Sequence, residues 1–412
     1  MQIKTVSATC LTRRLTEYKA FVIVVSEQIS IILIDSGGKY PMTNEVLEQK
    51  IQLVMDKLIH LGGADYDSDK NISVEEATTT GNIARDFGIE EWDWPQGIGL
   101  YGLCMLQAYY KDGRFNEFLQ NWYRGNIDRG LPSKNINTTA PFLTLVQVMD
   151  QLPDFPEYEQ LCKDRADWLI NGLPKTTDGG FQHVTSAIGN RNGVMLNDQE
   201  LWADTMFMAV LFLQQMGNRY NNETWKAEAV HQMLVHIKYL YCKNNGLLYH
   251  GFSFLRNDNF GGIFWNRGNS WFTLGVTIFL EHATDLDAGT RQFIVDTFRT
   301  HAATLRNLQD ESGLFHTILD DPTSYLETSG SAAIAAGLLR GVKLGILDES
   351  YAECANKAIE ALCDNIDTDG TVLNVSAGTA MGMNAEHYKG IGIHPMAYGQ
   401  ALTLVALIEA LH

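Results

Sequence analysis

Basic residues are scarce in this chain: 31 Lys and Arg stand against 49 Asp and Glu, a formal charge of −18. Binding a phosphate backbone needs a cationic surface that displaces counterions, so nucleic acid is excluded as a partner. Any anionic ligand must be met by a few placed cations. Paired cysteines are missing too. Cys10, Cys104, Cys162, Cys242, Cys354 and Cys363 include no CxxC pair and no metal-ligand spacing, and most fall in helical patterns. They read as buried thiols of a reducing compartment, and no metal or organic cofactor is indicated. No Pro- or Ser-rich linker occurs after about residue 41, so one domain over 41–412 is expected, although 412 residues allow two or three. Long apolar runs are also absent. Residues 20–25 and 29–34 are apolar, but Ser26-Glu27-Gln28 divides them and no clear cleavage site follows. That stretch is too short and broken to span a bilayer. Residues 1–40 read as an extension of unassigned role in a cytoplasmic protein without membrane association, the alternative being a degenerate secretion signal.

What the chain does contain is a repeat. Asp178-Gly-Gly-Phe-Gln-His183 returns as Asn245-Gly-Leu-Leu-Tyr-His250, as Ser312-Gly-Leu-Phe-His316 and, more faintly, as Asp369-Gly-Thr-Val372, with a period of about 60 residues. A fixed period means one supersecondary unit copied along the chain, each unable to bury its apolar face alone. Apolar spacing of three and four predicts helices near 44–61, 97–112, 115–125, 139–151, 157–171, 197–216, 222–242, 267–285, 288–309, 328–346, 349–365 and 395–411. Asn197 and Asp198 are placed to cap one of these, and Thr328 or Ser329 another. Twelve helices as six hairpins, with no strand long enough for a sheet, predict an all-α (α/α)6 barrel. An open solenoid is the alternative; the absence of polar capping repeats favours closure. Inner helices should be those rich in small apolar residues, such as Gly330-Ser-Ala-Ala-Ile-Ala-Ala-Gly-Leu338. The Gly-aromatic-His loops would then gather at one mouth, where a rigid scaffold presents binding groups.

Three predicted helix starts are rich in groups that bind sugars: Trp92-Asp-Trp-Pro-Gln-Gly97, Leu201-Trp-Ala-Asp204 and Trp265-Asn-Arg-Gly-Asn-Ser-Trp271. Flat aromatic faces such as Trp94 and Trp202 pack on the C–H faces of a sugar ring, while amides and carboxylates take its hydroxyls. Core packing is the plainer reading of any single Trp. Asp204 is the sharpest candidate, because an acid beside indole and away from water has its pKa pushed up, as a general acid requires. The alternative is an Asp that serves the helix dipole and its free N–H groups. Arg267, with Trp271 one turn on along the same face, offers a planar fork to a carboxylate or else stacks between aromatics for structure. His183 and His250 end repeat phrases and should face the shared mouth; neither has HxH, HxxxH or HExxH company. His316 reads equally well as a structural histidine, and His282 more so as one.

The WDWPQG, LWADTMFM, NGLLYHGF and WNRGNSW segments, with Tyr325-Leu-Glu-Thr-Ser-Gly-Ser331 and Gly378-Thr-Ala-Met-Gly382, give the chain from about residue 41 onward a combination that resembles glycoside hydrolase family 105. These are unsaturated rhamnogalacturonyl hydrolases, relatives of the unsaturated glucuronyl hydrolases of family 88. The resemblance implies an anionic oligosaccharide substrate ending in a uronic acid with a C4=C5 double bond, hydrated after protonation by one carboxylic acid. It assigns that acid to Asp204 and pocket roles to Trp94, His183, Trp202, His250, Trp265, Arg267 and Trp271. Where some relatives have a second Asp, this chain has Asn137, which orients a hydroxyl or water but does not titrate.

Two rivals remain at this level. An inverting hydrolase on the same toroid needs a second carboxylate, for which Asp93 or Glu327 are candidates. A catalytically silent sugar-binding module would share the fold without the chemistry. The attached sugar, the chain length and the oligomeric state are not legible.

Overall fold

The computed structural model describes residues 18–25, 28–35 and 42–411. They divide into two compact units, with the boundary between Gln49 and Lys50; the boundary expected at residue 41 lies outside the described residues. In the first unit, β1 (Tyr18–Val25) and β2 (Gln28–Asp35) pair antiparallel from Tyr18↔Asp35 to Val25↔Gln28. The interrupted apolar stretch is therefore a hairpin, as two Val- and Ile-rich runs joined by two residues favour. Residues 1–17, where a signal would begin, lie outside the description. α1 (Asn44–Ile59) crosses the boundary between the units.

The second unit is helical. After the short α2 (Val74–Thr80), helices alternate in pairs: α3 (Trp94–Tyr110) with α4 (Asn116–Asp128), and α5 (Ala140–Val148) with α6 (Phe155–Asn171). Two short ladders interrupt the pattern, β3 (Thr185–Ala187) with β4 (Asn190–Met195), and β5 (Glu200–Trp202) with β6 (Gly251–Ser253). Between β5 and β6 run α7 (Leu211–Tyr220) and α8 (Glu223–Leu240), then come α9 (Asn266–His282) and α10 (Ala288–Leu308). A last ladder, β7 (Phe315–His316) with β8 (Leu326–Glu327), leads to α11 (Thr328–Lys343) and α12 (Ser350–Asp364). The five-residue α13 (Ala385–Lys389) precedes α14 (Ala397–Ala410).

α3 packs on α5, α5 on α7, α7 on α9, α9 on α11 and α11 on α14; α14 then returns to α3. That last contact closes the ring, which an open solenoid does not do, and gives the (α/α)6 barrel. Small residues let inner helices approach. A Cβ on Gly337 would lie 2.5 Å from the Thr273 carbonyl oxygen of α9, and one on Gly102 would lie 2.8 Å from Ala401 of α14.

The repeat phrase also has a physical cause. Gly179, Gly246, Gly313 and Gly370 have φ of 79°, 78°, 97° and 84°, a left-handed conformation that glycine adopts without steric cost. After each, the chain folds back on the end of the preceding outer helix, through the bridges Lys175↔Phe181, Tyr241↔Leu248 and Ile366↔Val372 and the Asp310 N–H to Leu314 carbonyl bond. Each phrase thus turns the chain from an outer helix toward the next inner one. No helix of the described residues is long and apolar enough to cross a membrane.

Candidate active site

The helix expected over 197–216 starts late. Asn197 has φ 43° and caps nothing; its Nδ2 instead donates to the His183 carbonyl at 2.7 Å. The next residues form β5, which runs between two repeat phrases. The Glu200 carbonyl accepts the His183 N–H, and the Ala203 N–H donates to the His250 carbonyl, each at 2.9 Å. This three-residue strand therefore sets both histidines beside Asp204, which follows it immediately. The helix then opens with a wide π turn, Met206–Val210, a distortion frequent at functional sites.

The Asp204 side chain does not cap that helix. Its Oδ2 is buried without a hydrogen bond and lies 3.5 Å from His250 Nε2, itself buried and otherwise unpartnered; the Asp204 side chain is 14% exposed. Burial pushes its pKa up, but the proximity of His250, with His183 and Arg267, outweighs burial and holds the carboxyl below its usual range. The direction is opposite to that expected from the neighbouring indole, because groups brought together through space dominate the local apolar wall. His183 stacks on Trp202 with centroids 4.4 Å apart and bonds Thr205 Oγ1 at 2.8 Å; burial lowers its pKa to about 3, so it stands neutral. His250 lies against Trp265, at 4.4 Å, and its Nδ1 is 2.7 Å from Tyr388 Oη.

A cavity of about 250 Å³ has Trp94, Trp202, Asn137, Arg85, Asp86 and Met381 in its lining; Trp202 joins it to the group just described, whereas Asp204, His183 and His250 stand behind the lining. Among the described residues, Arg85 is the one cation in that lining. Of the expected pocket residues, Trp94, Trp202 and Asn137 face the cavity, and Trp202 is held by a 2.8 Å bond from its Nε1 to Glu200. Asn137 stands in a 3-10 turn that the buried Arg165 braces, through the Asn135 carbonyl and the Thr138 and Thr139 hydroxyls. Trp265 and Trp271 stand behind the wall. Trp271 is wholly buried against Phe207 and Trp94, so it supports the cavity's aromatic face and does not present one of its own. His316 bonds the Ser324 carbonyl at 2.6 Å, a structural role.

Arg267 is also wholly buried, between Trp265 at 4.5 Å and Tyr398 at 4.7 Å. Its Nη1 donates to Ser376, and its Nη2 to the Ala377 carbonyl at 2.8 Å and to Thr379 at 3.0 Å. The fork expected to face a uronate is thus closed on the loop 376–379, whose Thr379 lines the cavity. The two candidate second carboxylates are engaged as well. Asp93 accepts from Tyr66 Oη at 2.6 Å, Ser186 Oγ at 2.5 Å and the Trp94 N–H at 2.8 Å. Glu327 caps α11 and accepts the Ser329, Gly330 and Ser376 N–H groups.

Sequence reasoning missed Arg85, Asp86 and Tyr388, which lie in stretches without helical periodicity or repeat phrase, and gave Met381 no role beyond its place in the Gly378–Gly382 segment. Asp86 is 2% exposed; burial, reinforced by Asp93 and Asp69 against the pull of Arg85, raises its carboxyl to about 7. Among the described residues, no group of His, Cys, Asp and Glu converges to hold a metal ion.

A model of the Glycosyl Hydrolase Family 88 matches residues 73–412. The chain is 30% identical over 347 residues to the unsaturated rhamnogalacturonyl hydrolase YesR of Bacillus subtilis, spanning 84% of this chain and 96% of that protein. It is 31% identical over 182 residues to an unsaturated 3S-rhamnoglycuronyl hydrolase of Formosa agariphila, 42% of this chain and 48% of that one. Among solved structures, a possible member of the GH105 family from Salmonella enterica superimposes with a TM-score of 0.82 at 33% identity, covering 92% of this chain and 97% of that one. The unsaturated glucuronyl hydrolase of Bacillus sp. GL1, at 19% identity and a TM-score of 0.65 over 90% of this chain and 97% of that one, shares the fold.

Proposed function

Given that the chain belongs to the Glycosyl Hydrolase Family 88, we propose that it releases the terminal 4,5-unsaturated uronic acid from pectin-derived oligosaccharides of the rhamnogalacturonan type, with Asp204 as the acid. It is a glycoside hydrolase. The observation that carries the role of Asp204 is its unpartnered, buried Oδ2 facing His250, in a site where Asp93 and Glu327 have their oxygens engaged. An inverting mechanism needs a second free carboxylate, and neither candidate is free to serve.

Asp204 gives its proton to C4 of the enol ether, leaving a cation shared between C5 and the ring oxygen. Water adds at C5 as the Asp204 carboxylate takes a proton from it. The resulting hemiketal opens and frees the remaining sugar, and the acid is restored. Since its neighbours hold Asp204 ionised, the acid form must be generated on binding. A uronate carboxylate brought into the cavity disfavours a second negative charge near it and displaces water, both of which raise the Asp204 pKa. The anionic oligosaccharide thereby contributes to its own protonation, with Arg85 the cation on the cavity wall.

Support for a rhamnose neighbour comes from the apolar part of the lining, Met195, Phe260, Met381 and Met383, with Leu196 exposed beside Met195. These groups suit the methyl of a 6-deoxy sugar. Buried thiols at Cys104, Cys162, Cys242 and Cys354 support a cytoplasmic location.

The test is loss of the double-bond absorbance with unsaturated rhamnogalacturonan and glycosaminoglycan disaccharides, for wild type and Asp204→Asn. Decay on the first substrate, with turnover reduced about 10²–10⁴-fold in the variant at similar KM, is expected. Wild-type turnover in the variant sinks the role of Asp204, and decay on the glycosaminoglycan alone sinks the substrate.

A further inference from the structure

We propose that Tyr388 is a positioning residue, which holds the His250 ring as the tautomer whose Nε2 proton points at Asp204; the inference rests on the reading of Asp204 as the acid. Tyr388 sits in the short α13, outside the helical repeats, 1% exposed in an apolar cluster with Trp265 and Ile318. Its hydroxyl lies 2.7 Å from His250 Nδ1, receives the Gly382 N–H at 3.2 Å and is 3.8 Å from Met381 Sδ. The hydroxyl has one proton to donate. An imidazole nitrogen at 2.7 Å is a far stronger acceptor than a thioether at 3.8 Å, so the proton goes to Nδ1. In the neutral ring Nδ1 is then the acceptor, and Nε2 carries the hydrogen.

The other side of the ring requires the same tautomer independently. Nε2 lies 3.5 Å from Asp204 Oδ2, and both atoms are buried with no other partner. A bare nitrogen lone pair there would oppose the carboxylate lone pairs, whereas an Nε2–H meets them. The ring is also confined, by Trp265 at 4.4 Å and by the edge of Trp202 at 5.5 Å. Gly382 N–H, Tyr388 O–H and His250 Nε2–H thus all point toward Asp204, one donor behind another. Once Asp204 has passed its proton to C4, the new carboxylate finds this donor already in place and keeps its orientation until it takes a proton from the attacking water. The role falls on kcat, because the interaction strengthens as the carboxylate forms and Tyr388 acts through His250 without needing to touch substrate.

The ¹⁵N spectrum of the wild-type protein, at a pH where His250 is neutral, should show Nδ1 unprotonated and hydrogen-bonded; a protonated Nδ1 overturns the proposal outright. Tyr388→Phe keeps the aromatic volume and removes the donor. It should shift the Nδ1 resonance, lower kcat about tenfold and leave KM within about twofold, as losses of a supporting hydrogen bond do. In a His250→Asn background the same change should cost nothing further, since partners acting as one unit are not additive. An equal loss in both backgrounds, or an unchanged kcat, overturns the proposal. Failure of the Asp204 reading is separately visible, because Asp204→Asn would then turn over normally while the Nδ1 resonance still responded to Tyr388→Phe.

Discussion

Asp93 and Asp204 are both acids at helix starts, buried among aromatic rings, and their partners give them different work. Asp93 accepts from two hydroxyls and a backbone N–H, with Arg85 3.4 Å away, so its negative charge is fully supported and it anchors α3. Asp204 keeps an oxygen free. The sequence motif singles out Asp204 but misjudges its ionisation, because the groups that set it, His250 and Arg267, are distant in the chain and meet it only through the fold. Arg267 teaches the same lesson: its aromatic flanks are legible, whereas its acceptors at 376–379 are not. Replacing Arg267 by Lys keeps the charge but cannot reach Ser376, Ala377 and Thr379 together. We expect stability to fall by roughly 1.5–3 kcal/mol, the scale of a lost charge-assisted bond. We also expect the ratio of kcat/KM for the uronate to that for its methyl ester to stay as in wild type. A selective loss on the uronate would show that Arg267 reads the carboxylate after all.

At the scale of elements, what is legible is what is local. Each repeat turn is encoded within six residues by a glycine at positive φ and a buried residue that bridges back, so the periodicity of the barrel is open to reading from the chain. β5 is not, since three residues carry no period and its partner β6 comes only after α7 and α8. α13, five residues long, has no room for an apolar stripe, and the Tyr388 it carries was missed with it. The inner-helix prediction for the Gly- and Ala-rich segment holds because small residues are what close packing demands. α11 and α9 approach at Gly337, where a Cβ would meet the Thr273 carbonyl oxygen at 2.5 Å, a backbone atom that cannot turn aside. Gly337→Ala gains helix propensity, yet should destabilise by about 1–3 kcal/mol through overpacking. Denaturant titration of this variant decides between the two: a gain in stability would mean that the inner helices are free to separate.

For the molecule as a whole, closing six hairpins into a ring buries polar side chains that the sequence reads as ordinary surface or helix residues. Three histidines illustrate the consequence. Burial depresses His183 to about 3, and His236 and His301 to about 4, so all three are neutral in the folded protein at pH 5 while in the unfolded chain they bind protons. Asp86, raised to about 7, works in reverse, holding a proton in the folded state that the unfolded chain has released. Near pH 5 these four groups leave the unfolded chain with the larger proton uptake, three against one. Stability therefore rises with pH between about 4 and 6.5, with a slope from these groups of roughly 2–3 kcal/mol per pH unit near pH 5 that falls off toward either end. His301 shows why the protons are refused. Its Nδ1 donates to the Gly246 carbonyl of a repeat turn at 2.9 Å, and its Nε2 lies 2.8 Å from Thr273 Oγ1 of α9, whose hydroxyl also bonds the Asn269 carbonyl. A second proton on the ring would place a full charge in this buried link between an outer helix, an inner helix and a repeat turn, and it is burial that opposes it. Denaturant midpoints should consequently fall from pH 6.5 toward 4.5, and His301→Gln, uncharged at every pH, should flatten that dependence by about one proton even if its stability at pH 7 is lower. A slope unchanged in the variant would mean that His301 is charged in the native ring.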